Sequence, residues 1–91
     1  MFTLVWSVGF TRAAEKFINN HPDLREKFAA ILRELENDPF QPHLKYHQLS
    51  GNLKSLKAVS ITYSYRITLT IVVSDKEIIL LDVGSHDEVY R

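Results

Sequence analysis

The run YRITLTIVVSDKEIILLDV, residues 65–83, decides what kind of domain this chain can form. Its first half alternates: Tyr65, Ile67, Leu69, Ile71 and Val73 share one parity, and Arg66, Thr68 and Thr70 share the other. Period-two alternation rich in β-branched residues marks a strand with one buried face. Ser74-Asp75-Lys76 is turn chemistry, and residues 77–83 form a second, nearly continuous apolar run. Two strands joined by so short a turn pair antiparallel. Just upstream, LKAVSITY (56–63) is a third β-branched run. The C-terminal part of the chain is therefore a strand meander.

Working back from that meander, residues 39–52 read as loop, with two prolines and a Leu49-Ser50-Gly51 step. Before it come two helical stripes. Phe10, Ala13, Ala14, Phe17 and Ile18 fall on one face of a helix that Ser7 can cap and Asn19-Asn20 can end. Leu24, Phe28, Ile31, Leu32 and Leu35 supply a second stripe, with Pro22 at its start and Asn37-Asp38-Pro39 at its stop. Phe2, Leu4 and Trp6 alternate with Thr3 and Val5, which fits a short first strand. The order β-α-α-β-β-β predicts a single α+β domain over residues 1–91. A first strand and a two-helix hairpin pack on a mainly antiparallel four-stranded sheet. The sheet face away from the helices carries Arg66, Thr68 and Thr70. Parity adds Ile78, Leu80 and Asp82 to it, so it reads as an open, partly apolar surface on which Ile78 and Leu80 could seat a partner's helix or strand.

With 91 residues there is room for one core. The absence of cysteine removes disulfides, thiolate metal sites and a thiol nucleophile. The apolar opening MFTLVWSVGF lacks a basic leader region and is too short to span a bilayer, so a cytoplasmic protein without a membrane partner is expected. Eleven basic and eleven acidic residues cancel, which gives no global signal for nucleic acid. Their placement is uneven. Residues 40–66 hold Lys45, Lys54, Lys57, Arg66, His43 and His47 and no Asp or Glu.

His43 and His47 have the spacing of a helical metal pair, but they follow Gln41-Pro42 in a loop with no acid between them. No metal and no cofactor is expected. Ser85-His86-Asp87 are sequential neighbours that point apart and cannot form a relay, and no nucleophile elbow is present. What remains is a scattered set: His47, Lys54, Lys57, Arg66, His86, Tyr90 and Arg91. Such residues suit cleavage of RNA by its own 2′-hydroxyl, which needs a base, an acid and cations around the phosphate. From the residues alone, a binding domain for another ligand stays open beside that reading.

The ordered pieces HQLSGNLKSLKAVSITYSYRI (47–67) and LLDVGSHDEVYR (80–91) resemble the RelE/ParE superfamily of toxins from toxin–antitoxin modules. Within it, they are most similar to RelE- and YafQ-type mRNA interferases. The resemblance implies a helix hairpin on an antiparallel sheet and a metal-independent endoribonuclease that cuts mRNA in the ribosomal A site. It implies catalytic roles for His86, Arg66 and Tyr90, with RNA contacts from His47, Lys54, Lys57 and Arg91. A cognate antitoxin, the ribosome and mRNA are the implied partners, and DNA is met only through the antitoxin complex. Val59 and Ser60 stand where such toxins carry a second lysine and a histidine. A ParE-like gyrase inhibitor, or a degenerate toxin that only binds its antitoxin, is the alternative on the same fold.

Overall fold

A computed structural model describes residues 1–49 and 56–85. Strand β1 (Thr3–Trp6) leads into helix α1 (Val8–Asn20), and a 3₁₀ turn (Pro22–Leu24) runs into α2 (Arg25–Asn37). A second 3₁₀ turn (Pro42–Leu44) precedes β2 (His47–Gln48), followed by β3 (Lys57–Ser60), β4 (Tyr65–Val72) and β5 (Glu77–Ser85). The sheet order is β1-β5-β4-β3-β2. The α+β class expected from the pattern is the one observed.

The helix signals act as their chemistry dictates. Ser7 Oγ accepts a hydrogen bond from the Phe10 amide at 3.0 Å, satisfying one of the first-turn donors that the helix cannot satisfy itself. Ser7→Ala is expected to lower stability by about 1 kcal/mol. In a domain of this size that is a Tm drop of about 4–8 °C, measurable by thermal melting. Between the helices and the sheet, Phe10, Phe17 and Phe28 form a ring cluster, with Phe28 6.1 Å from Phe10 and 5.8 Å from Phe17. Ile67, Leu69, Ile78 and Leu80 meet it from the sheet, all fully buried.

Two features depart from the sequence expectation, and the direction of the first strand completes it. The sheet has five strands among the described residues, because His47 and Gln48 pair antiparallel with Ala58 and Lys57. Two polar residues are too few to show an alternation, so this edge strand reads as loop. Strand β1 runs parallel to β5, with Leu4 opposite Ile78 and Trp6 opposite Leu80.

The second departure is larger. Thr68 pairs with Asp82 but Leu69 pairs with Leu80, so Leu81 is the extra residue of a β-bulge. The bulge reverses the parity of β5 partway along. Ile78 and Leu80 therefore face the helices together with Val83, instead of the opposite face. Their 0% exposure removes them as a surface for an antitoxin. The outer face is not open at its centre either, since Ala58 and Thr68 are buried there.

Candidate functional site

At one end of the sheet, α2, the loop after Pro42 and the β3–β4 turn enclose a cleft of about 810 Å³. Its walls bring Lys27, His43, Lys45 and Arg66 together with the hydroxyls of Ser60, Thr62, Ser64 and Ser85. Arg66 enters from β4, held between Ser60 of β3 and Gly84 of β5. Its Nε atom is buried, so the guanidinium is placed by the sheet and does not swing freely in solvent. Tyr63, on the turn beside it, is 99% exposed and presents its whole ring to the outside.

The loop wall is rigid for identifiable reasons. Pro39 and Leu44 are buried, and the Phe40 amide donates to Asp38 Oδ1 at 2.9 Å. Gln41 Nε2 donates to the carbonyls of Glu34 and Asp38, both at 3.0 Å, which ties the loop to the end of α2. Phe40 packs edge-on against Phe2 and Tyr46. Burial raises the Tyr46 phenol above its ordinary value. Lys45 ends the turn in the left-handed region, at φ 54°. His43 Nε2 meets Glu34 Oε2 across the gap between loop and helix.

The candidates read from sequence are only partly gathered here. Arg66 lines the cleft. His47 sits on β2 and its Nδ1–H donates to the Lys45 carbonyl at 2.8 Å. By register it shares the outer face with Arg66, two strands away. Lys57 lies opposite Leu69, three residues along the sheet from the Ser60–Arg66 pair, or about 10 Å. The structure therefore puts Lys57 at the far rim, on the helix side with Val59. Lys54, His86, Tyr90 and Arg91 lie outside the described residues.

Lys27, His43 and Lys45 are cleft residues that carry no motif. Lys27 sits on the helix that makes up one wall, and His43 reads from sequence as half of an unfinished metal pair. The His21 ring packs, tilted, 4.5 Å from Tyr65 and 5.0 Å from Phe17. Among the described residues, no group of three His, Cys, Asp or Glu side chains is placed to hold a metal. No helix there is long and apolar enough to cross a membrane.

A second, smaller cleft of about 380 Å³ runs between α1 and β5 and carries Arg12, Lys16 and His21 beside Asp82. It shares no candidate residue with the first. Electrostatically, the Arg66 cleft is a concentration of cations and hydroxyl donors on a chain of zero net charge. Such an arrangement binds phosphate or another oxyanion.

A protein of Methanocaldococcus jannaschii that carries the toxin name RelE4 is 31% identical over 67 residues, covering 74% of this chain and 70% of its own. The chain belongs to the RelE toxin family. No family model matches it. The fold of this RelE-family toxin is also that of YafQ from E. coli, with a TM-score of 0.81, 15% identity and full coverage of both chains. YafQ in the E. coli DinJ–YafQ complex superposes equally well, with a TM-score of 0.80 at 17% identity and full coverage.

Proposed function

We propose that this RelE-family protein is the toxin of a toxin–antitoxin pair and that it cleaves mRNA on the ribosome. The observation that carries the reading is the Arg66 cleft, which a sheet-held guanidinium lines together with Lys27, Lys45 and the hydroxyl side chains of Ser60, Thr62, Ser64 and Ser85. RNA is cut there by attack of its own 2′-hydroxyl on the adjacent phosphorus, leaving a 2′,3′-cyclic phosphate and a 5′-hydroxyl. Arg66 offsets charge gathering on the phosphorane oxygens, because its forked donors suit a phosphate and cost little reorganisation.

His86 serves as general acid or base and Tyr90 works beside the reacting nucleotide, roles taken from the family resemblance. His47 and Lys57 hold RNA away from the reacting phosphate, on the outer face and the far rim. Lys54 and Arg91 add phosphate contacts. The DinJ–YafQ assembly supports an antitoxin as the protein partner. Its docking surface is not the Ile78–Leu80 pair, which lies in the core.

The test is primer extension on a reporter mRNA in a reconstituted translation system. Wild type should cut at A-site positions only when ribosomes are present, and His86→Ala should lower the rate by about 10²–10⁴, the usual contribution of a general acid or base. A folded wild type that cuts nothing would sink the proposal, and inhibition of gyrase supercoiling by that protein would put the ParE-like reading in its place.

A further inference from the structure

We infer that His43, oriented by Glu34, is a proton-transfer residue of the Arg66 cleft, acting as the base on the 2′-hydroxyl. The inference rests on the RNA-cleavage reading above and names a group within the same site. It starts from the Glu34–His43 contact, which joins α2 to the loop wall. A carboxylate is acceptor-only, so the hydrogen between them sits on His43 Nε2. In the neutral ring that leaves Nδ1 as the nitrogen with a lone pair, and the ring makes no other hydrogen bond among the described residues. A base oriented by a third group is the general arrangement of an activated proton acceptor.

A contact that merely staples the loop is poorly motivated here. Gln41 already ties the loop to α2 twice, while Pro39 and Leu44 anchor it in the core. The His43 side chain is 57% exposed and its Glu34 partner 37%, so the ring is accessible from the cleft that it lines. The other charged groups of that cleft are Lys27, Lys45 and Arg66, all cationic. They draw a phosphodiester toward His43 without offering a competing carboxylate.

Nδ1 of His43 takes the 2′-hydroxyl proton as the 2′-oxygen forms its bond to phosphorus. The phosphorus–5′-oxygen bond breaks, and the leaving oxygen takes a proton from a general acid, the role that the family resemblance implies for His86. Glu34 stabilises the imidazolium that forms on His43.

The experiment is single-turnover cleavage in the reconstituted translation system, for wild type, His43→Ala, His43→Gln and Glu34→Gln, with folding checked by thermal melting. His43→Ala should cleave about 10²-fold slower, the low end for general acid–base catalysis, with half-saturation changed less than about threefold. Added imidazole should restore part of that rate, a rescue that a structural role would not show. His43→Gln can still hydrogen-bond Glu34 and keep the loop in place, yet it should be as slow as the alanine variant. Glu34→Gln should fall between the two and wild type.

Wild-type rates from both folded His43 variants, with wild type itself active, would overturn the role of His43 and leave the cleavage reading intact. Slow variants that imidazole does not rescue, or whose defect lies in half-saturation, would likewise overturn it in favour of RNA binding. An inactive wild type would overturn both.

Discussion

Arg66→Ala should slow mRNA cleavage by about 10²–10³, the loss typical when one donor to a developing oxyanion is removed. Affinity for the ribosome–mRNA complex should change much less. The reason lies in where the charge is. A ground-state phosphodiester carries one negative charge already spread over its oxygens. The phosphorane gathers more, so a guanidinium held at that point contributes most in the transition state. Arg66 is well placed to do so, on an inner strand between Ser60 and Gly84 with its Nε buried. Arg66→Lys keeps the charge and loses the fork, so it should recover only part of the rate. Single-turnover rates and half-saturation values measured together decide the matter. Equal losses in both would make Arg66 an anchor for RNA and not a stabiliser of the reaction.

Leu80→Ala should destabilise the fold by about 2–5 kcal/mol, the range for truncating a buried leucine. Leu80 is fully buried, opposite Leu69 on β4 and Trp6 on β1, and it belongs to the cluster around Phe10. Truncation there removes contacts on two neighbouring strands at once. Ile79→Ala, on the other side of the same strand and only partly buried, should cost clearly less. Thermal melts of the two variants beside wild type measure this directly. If Leu80→Ala melted with wild type and only antitoxin affinity fell, Leu80 would belong on a surface after all.

That comparison also shows where a strand pattern stops being informative. The alternation of residues 65–72 reads correctly, because threonines at every second position mark one side. In Ile78-Ile79-Leu80-Leu81 both parities are apolar, so nothing in the string marks the extra residue at Leu81. A bulge is set by how β5 must bend against β4 and the helices, not by the residue types in it. The Pro39–Leu49 loop is a similar case. Its turn residues are legible. Its anchoring through Gln41 and Leu44, and hence the position of His43, depends on α2 lying alongside.

The amino-acid sequence by itself determined the class of fold, since helix and strand periods, the Ser7 cap and the proline stops are local properties of the chain. It also singled out Arg66 as a candidate, through its strand context and family resemblance. Tertiary structure alone decided which side of β5 faces the core and which charges share a cleft. Lys27, His43, Lys45 and Arg66 span forty residues of chain and meet only because α2 and the loop close over the end of the sheet. Lys57, close to Arg66 in sequence, is carried to the other end of β3 by the antiparallel turn between them. Proximity in space follows from packing and register, and neither is written into any short stretch of residues.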